Sequence, residues 1–105
     1  RDADIPMFYR DRRQIELCMS GWIYILKSLS SGRYYVGSTT DVEGRVAQHN
    51  AGQVRSTKAF VPFETVFQQE FDTYAQARNV EMRLKRYKRR DFLEKIIRDG
   101  YLKKP

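Results

Sequence analysis

Two strand-like runs joined by a turn constrain this chain more than any other feature. Residues 22–27 (WIYILK) are apolar on both faces and rich in strand-forming residue types, and residues 33–37 (RYYVG) form a second run of this kind. The SLSSG segment between them is typical of a turn, so the sequence predicts an antiparallel hairpin. With a four-residue loop, Tyr24 falls directly opposite Tyr35 on one face, whereas a slip of one residue would place them on opposite faces.

A helix with recognisable start and stop signals follows the hairpin. Thr40 and Glu43 form a capping box at its beginning, and Gly52 marks its end. Within this helix, Arg45 and His49 follow the same spacing as two valines and therefore face the body of the protein. Charged side chains rarely face inward unless they have a partner or a chemical role, so both residues are candidates for a functional site.

The remainder of the chain predicts one strand and two helices. Residues 51–62 are typical of a loop because they contain Gly, Pro, Ser and Thr, and residues 63–71 (FETVFQQEF) predict a third strand. Thr73 opens a second capping box, which predicts a helix from there to about Lys88. Residues 91–98 (DFLEKIIR) predict a short final helix that stops near a glycine.

The positive charge of the chain is its main clue to a partner. The 105 residues carry a net charge of +7, with 41% hydrophobic and 31% charged residues, which fits one folded domain. Such a surplus attracts polyanions, so nucleic acid is the first partner to consider and an anionic membrane the second. The cations cluster in two places: the loop at residues 51–62, and the second predicted helix together with the residues just after it. The residues predicted to contact nucleic acid are Arg55, Lys58, Arg78, Arg83, Lys85, Arg86, Lys88 and Arg89.

Cys18 is the single cysteine, which excludes an intrachain disulfide and suits a reducing cytosol. Because the chain also has one histidine, no Cys/His cluster has the spacing of a zinc site. No apolar run approaches the roughly 20 residues that a membrane span needs, and no secretory signal pattern is recognisable. These observations predict a cytoplasmic protein that does not enter a membrane.

Glu81 is the only acidic residue between Asp72 and Asp91, in a stretch that is otherwise strongly basic. Its spacing from Leu84 places it on or beside the apolar stripe of the helix. One interpretation is an ion pair with Lys85 at i+4, which contributes only about 0.3–0.5 kcal/mol if exposed. The other interpretation is a metal ligand, because a carboxylate suits Mg²⁺ or Mn²⁺.

Taken in order, the triplets at 22–24 (WIY) and 35–37 (YVG) with Arg45, His49 and Glu81 resemble the GIY-YIG nuclease superfamily. Each triplet is a weak signal, whereas the ordered set at these spacings is specific. The first triplet has Trp where the family name has Gly, a variation that is common in small single-domain members. The later part of the sequence also resembles those small stand-alone bacterial members.

The resemblance implies an α+β fold, in which helices flank a three-stranded antiparallel sheet in the order β-β-α-β-α-α. It also implies phosphodiester hydrolysis with one divalent metal ion, Mg²⁺ or Mn²⁺, and it favours DNA over RNA. By this resemblance, Glu81 binds the metal ion and Arg45 contacts the scissile phosphate. Tyr24 and Tyr35 line the site, where one of them helps to deprotonate the attacking water. His49 orients a tyrosine or relays its protons.

The resemblance places the nuclease-like domain at residues 21–98, followed by a tail at 99–105. Residues 1–20 are predicted to be an extension, either a native arm or a segment appended before a start at Met19. The predicted function is a metal-dependent DNA endonuclease of low specificity, or one that recognises DNA structure, in DNA repair or recombination.

Two departures from the family pattern leave an alternative open. Ser38 stands where many catalytic members have Lys, and no counterpart of their Asn follows the start of the last helix. The interpretation we favour for Ser38 is a simple turn role, and the other is a hydrogen bond to phosphate or water. The alternative function is a nucleic-acid-binding module with weak or absent catalysis. A protein-interaction module would need an exposed apolar patch, for example around Phe60, Phe63 and Phe67.

Overall fold

The computed structural model of this protein describes residues 18–87 and 89–102. In chain order its elements are β1 (Gly21–Ser28), β2 (Tyr34–Thr39), α1 (Val42–Asn50), a short 3-10 helix (Lys58–Phe60), β3 (Phe63–Phe71), α2 (Tyr74–Tyr87) and α3 (Arg90–Asp99). The strands form one antiparallel sheet in the order β2-β1-β3. The predicted α+β fold with the order β-β-α-β-α-α is therefore confirmed, while the predictions for residues 1–17 and 103–105 lie outside the described residues.

The hairpin of β1 and β2 has a different register from the predicted one. Tyr24 pairs with Gly37 rather than with Tyr35, so this prediction was wrong. The reason is the loop, which spans residues 29–33 and is held by a hydrogen bond of 2.8 Å from the amide of Gly32 to the last carbonyl of β1. Because the register moves by two residues, the two tyrosines stay on one face, with ring centroids 6.5 Å apart.

The helix ends follow the predicted signals with one correction. Asp41, and not Thr40, is the N-cap of α1, because its carboxylate accepts the amide of Gly44 at 3.2 Å. Gly52 follows the end of α1 with a left-handed φ of 74°, as a stop signal requires. Thr73 caps α2 as predicted, since its hydroxyl accepts the backbone amide three residues on at 3.2 Å.

The sheet carries two clusters of buried side chains, one on each face. Because side chains alternate along a strand, β1 contributes Ile23 and Ile25 to one face and Tyr24 and Leu26 to the other. On the first face, α2 and α3 cover the apolar core, which consists of Ile23, Ile25, Val36, Phe67, Phe71, Ala77, Val80, Leu84 and Ile96. On the second face, α1 covers the tyrosine cluster, which consists of Tyr24, Leu26, Tyr35, His49 and Phe63.

The proposed apolar surface patch does not form. Phe63 and Phe67 are each only 6% exposed, because they belong to the two buried clusters. This burial removes the example patch that was predicted for a protein-interaction module. Among residues 18–87 and 89–102, no helix has both the length and the apolar character needed to cross a bilayer.

Candidate active site

A cleft of about 450 Å³ opens beside the edge strand β2, with walls from α1 and α2. It brings together four of the five residues predicted to be catalytic: Tyr24, Tyr35, Arg45 and Glu81. The other lining residues are Gly37, Ser38, Tyr74, Arg78, Met82 and Lys85. The cleft therefore contains a carboxylate, three cationic side chains and phenol groups within one open space.

Gly37 allows these groups to meet. It lies directly opposite Tyr24, whose ring crosses the position where any other residue would carry a side chain. A Cβ atom at Gly37 would overlap the hydroxyl oxygen and Cζ of Tyr24. Because β2 is also an edge strand, Glu81 can reach the cleft from the face of the apolar core, while Arg45 reaches it from the face of the tyrosine cluster.

His49, the fifth predicted residue, lies beneath the cleft and does not line it. Its imidazole is fully buried, and its Nε2 lies 3.1 Å from the hydroxyl oxygen of Tyr24. Its Nδ1 lies 2.8 Å from the hydroxyl oxygen of Thr57, which is also buried. The ring of Tyr35 packs edge-on against the imidazole, with centroids 4.9 Å apart. Both nitrogens of His49 therefore have a fixed partner.

Burial sets the protonation states of this pair. Burial raises the pKa of Tyr24 to about 12, although the nearby Arg45 guanidinium opposes the shift. The pKa of His49 is lowered to about 4, mainly by burial and to a smaller extent by repulsion from the Arg45 guanidinium. At neutral pH the phenol is protonated and the imidazole is uncharged, so the two rings share a hydrogen bond between neutral groups.

Arg45 is half-buried at the cleft wall and is oriented by its own helix. Its Nη1 donates to the side-chain oxygen of Gln48 at 2.9 Å. A guanidinium has five hydrogen-bond donors, so this contact leaves further donors for an anion in the cleft. The arrangement suits a bidentate contact with a phosphate.

Glu81 holds its carboxylate between two partners. Its Oε1 accepts a short hydrogen bond from Ser38, and its Oε2 lies 2.6 Å from the Nζ of Lys85. The ion pair with Lys85, one of the two interpretations of the sequence, is therefore present. Ser38 lies within β2, so the expectation that it has only a turn role was wrong.

The donor set fits one kind of metal ion. Mg²⁺ keeps several waters and is often bound by only one or two carboxylates together with substrate phosphates. The single Glu81 carboxylate facing the cleft fits such a hydrated ion, provided that Lys85 moves away. Within the described part of the chain, no three His, Cys, Asp or Glu side chains converge to form a site that the protein alone could complete.

The cations predicted to contact nucleic acid do not all lie on one surface. Arg78 and Lys85 line the cleft, on the same side of α2 as Glu81. Arg83 and Arg86 are exposed elsewhere on α2, and Arg55 and Lys58 are exposed in the loop between α1 and β3. Arg89 forms an ion pair with Asp91 at 2.8 Å, and Lys88 lies outside the described residues.

Sequence reasoning missed several residues that shape the site. Gly37 had a usable signal, since a glycine inside a strand often marks the close approach of another group. Thr57 had no signal, because its contact with His49 depends on how the loop after α1 folds back. Gln48 had a local signal, because it lies three residues after Arg45 on the same helix. Tyr74 acquires its position only from the assembled cleft.

Comparison with known proteins identifies the family of this chain. A family model described as the GIY-YIG catalytic domain matches residues 20–95, so the chain belongs to the GIY-YIG family of nucleases. It is 38% identical to a UPF0213 protein of Staphylococcus saprophyticus over 80 residues, which cover 75% of this chain and 95% of the relative. It is also 38% identical to a UPF0213 protein of Halobacterium salinarum over 68 residues, or 64% of this chain and 87% of that protein.

A solved structure has a related sequence. The solution NMR structure of a UPF0213 protein from Bacillus halodurans is 30% identical and covers 78% of this chain and 87% of its own, with a TM-score of 0.49.

Proposed function

We propose that this protein is a metal-dependent endonuclease that hydrolyses phosphodiester bonds in DNA. The observation that carries the proposal is the convergence of Tyr24, Arg45 and Glu81 on one open cleft. Phosphodiester hydrolysis needs positive charge at the phosphate, a positioned water and a group that takes the proton of that water. The cleft offers a residue for each need, and membership of a nuclease family supports the same reading.

Arg45 is the proposed phosphate ligand. Its bond to Gln48 fixes the guanidinium at the cleft wall before substrate arrives. Preorganised donors of this kind stabilise the charge that develops on the phosphate oxygens in the transition state. Arg78 and Lys85, which line the same cleft, would hold the neighbouring part of the DNA backbone.

Glu81 is the residue that would hold Mg²⁺ or Mn²⁺, with Ser38 orienting its carboxylate. When bound, such an ion acts as a Lewis acid that stabilises the leaving oxygen. Lys85 is half-exposed, so its ammonium group is free to move from Glu81 to a phosphate of the substrate. This exchange would couple the arrival of DNA to the release of the carboxylate.

Tyr24 is the proposed proton acceptor, since it alone of the two tyrosines lies within hydrogen-bond distance of His49 among the described contacts. Its raised pKa means that a preformed phenolate is not populated at neutral pH. We therefore place the proton transfer in one concerted step. The water gives its proton to the phenol oxygen of Tyr24 while the phenol proton passes to Nε2 of His49.

The substrate class follows from size and charge. A domain of this size offers little surface for reading a long base sequence, so recognition of DNA structure or low specificity is proposed. A role in DNA repair or recombination in the cytoplasm is compatible with that substrate class and with the single cysteine.

The direct test is cleavage of DNA by purified protein with Mg²⁺ or Mn²⁺, on single-stranded, flapped and duplex substrates. We expect cleavage that a chelator abolishes and that Glu81→Gln reduces by about 10²-fold or more. The matched control is Glu94→Gln, an exposed acid on α3 that lies outside the cleft, and it should retain full activity. Wild-type protein that cuts no substrate faster than Glu81→Gln would contradict the enzyme proposal.

The alternative proposal is a nucleic-acid-binding module. The ion pair of Glu81 with Lys85 favours it, because a purely structural carboxylate would need no metal ion. This alternative expects binding that weakens steeply with salt, persists in Glu81→Gln and is accompanied by no cleavage. Binding and cleavage measured on the same DNA separate the two proposals.

A further inference from the structure

A buried chain of hydrogen-bonding groups runs from the loop after α1 to the floor of the cleft. The hydroxyl of Thr57 donates to the carbonyl of Val54 at 3.4 Å and lies 2.8 Å from Nδ1 of His49. Nε2 of the same ring lies 3.1 Å from the hydroxyl oxygen of Tyr24. All three side chains are buried, with 2%, 0% and 1% exposure for Thr57, His49 and Tyr24.

The end of this hydrogen-bond chain at Val54 determines which way its protons point. The carbonyl of Val54 can only accept a hydrogen bond, and the hydroxyl of Thr57 donates its one hydrogen to it. The Thr57 oxygen is therefore left to accept from Nδ1 of His49, and Nε2 is left to accept from Tyr24. Tyr24 then donates to Nε2, and Nδ1–H donates to the Thr57 oxygen.

The opposite direction satisfies the groups less well. If Thr57 donated to Nδ1, it would give up its bond to Val54, and the Tyr24 oxygen would accept from Nε2–H of His49. The phenol proton of Tyr24 would then have no acceptor in the buried chain and would have to turn into the cleft. A buried network is most stable when every donor has an acceptor, so the first direction is favoured.

The position of Thr57 in its loop supports a dedicated contact. Thr57 stands at the N-cap of the 3-10 helix Lys58–Phe60, where a threonine hydroxyl normally accepts a backbone amide. Here the hydroxyl makes no such capping bond. It turns to His49 instead, while the backbone amides of Thr57 and Lys58 hold the turn by donating to Val54 at 3.1 and 2.9 Å.

From this geometry we infer that Thr57 is a positioning residue that fixes His49 as the Nδ1–H tautomer, with Nε2 unprotonated and directed at Tyr24. The assignment of the tautomer depends only on the hydrogen bonds among Thr57, His49 and Tyr24. Its consequence for cleavage rests on the proposed function, because only the unprotonated Nε2 can receive the phenol proton when Tyr24 takes a proton from water. Thr57 itself lies behind His49 and does not line the main cleft.

The first measurement is the tautomer of His49 in the wild-type protein by ¹⁵N NMR at neutral pH. The chain has one histidine, so its imidazole signals need no further assignment. We expect Nδ1 to show the shift of a protonated nitrogen and Nε2 that of an unprotonated one. A protonated Nε2 in the wild type would overturn the inference without any variant having to fold.

The second measurement compares Thr57→Val with Thr57→Ser. Valine keeps the shape but removes the acceptor for Nδ1–H, so we expect the signals to move toward the Nε2–H tautomer. Serine keeps the hydroxyl and should keep the wild-type tautomer. Single-turnover cleavage should fall by about 10²-fold in Thr57→Val, with DNA affinity unchanged, and serine should restore most of it.

The outcomes separate this inference from the proposed function. An unchanged tautomer in Thr57→Val would overturn the role of Thr57, whatever the cleavage rates. A changed tautomer with an undiminished cleavage rate would overturn its link to catalysis. If the wild type has the expected tautomer, and Thr57→Val changes it, but neither protein cuts DNA, the tautomer assignment stands and the proposed nuclease function fails.

Discussion

The two faces of the sheet use the same central strand for different purposes. On one face, β1 contributes Ile23 and Ile25 to a core of carbon side chains under α2 and α3. On the other face, it contributes Tyr24 to a cluster in which a phenol and an imidazole share a hydrogen bond. The apolar core stabilises the fold because it buries carbon side chains. The tyrosine cluster stabilises it less, because burying polar groups in fixed positions costs free energy. The comparison suggests that stability and chemistry can be changed separately.

Tyr24→Phe should give the largest effect and test the chemical face. It removes the proposed proton acceptor but keeps the ring, so we expect cleavage to fall by about 10²- to 10⁴-fold, equivalent to about 3–5 kcal/mol. The free energy of unfolding should fall by only about 1–2 kcal/mol, since one buried hydrogen bond is lost. Single-turnover cleavage and urea unfolding measure the two quantities. An equal loss in both would contradict the separation of the faces.

Leu84→Ala tests the apolar face. Leu84 is 5% exposed in the apolar core, so its truncation should lower the free energy of unfolding by about 2–5 kcal/mol. Cleavage per folded molecule should stay close to wild type, because α2 keeps Glu81 and Lys85 in place. Urea unfolding gives the first value, and cleavage well below the midpoint gives the second. A large loss of activity in the folded protein would show that the two faces are coupled.

Acid should weaken the fold through the tyrosine cluster. The pKa of His49 is lowered to about 4 in the folded state, so the folded protein favours neutral imidazole and the unfolded chain binds the proton first. Stability is thus full above the ordinary histidine pKa of about 6.5 and declines as the pH falls toward 4, by up to about 3 kcal/mol. Unfolding at several pH values should follow the NMR titration of His49. If His49 titrates near 6.5 in the folded protein, its burial as a neutral ring cannot be the cause of the acid sensitivity.

The smallest expected effect concerns the cations of the cleft. Arg78→Ala should reduce the slope of log affinity against log salt by about 1, as expected for one lost phosphate contact. Arg98→Ala, an exposed cation of α3 that does not line the cleft, removes the same charge and is the matched control. DNA binding measured across a range of salt concentrations gives the slope for each variant. Equal slopes of log affinity against log salt in Arg78→Ala and Arg98→Ala would argue against a directed phosphate contact by Arg78.

The sequence predicted the elements well because their signals are local. The run of strand-forming residues in β1, the cap at Thr73 and the stop at Gly52 depend only on neighbouring residues, and the structure has all three. The register of the hairpin was missed because it depends on how the loop 29–33 closes. The cap of α1 was missed by one residue because Asp41 is as good a cap as Thr40.

The site could be predicted only in part for a related reason. The spacing and family pattern identified the groups that reach the cleft, such as Arg45 and Glu81. They could not show that Gly37 makes room for Tyr24, or that His49 is buried behind the cleft rather than exposed in it. Such relations arise between segments that are distant along the chain, and only the packed sheet brings them together.

The central place of β1 limits how the proposed DNA substrate could enter. A strand paired on both sides exchanges its amide hydrogens last, because it opens only when the whole domain unfolds. We therefore expect the backbone around Tyr24 to be among the most slowly exchanging parts of the domain. We expect any opening that admits the proposed DNA substrate to occur around Tyr24, at the outer edge of β2, in the helix α1 and in the loop that carries Thr57.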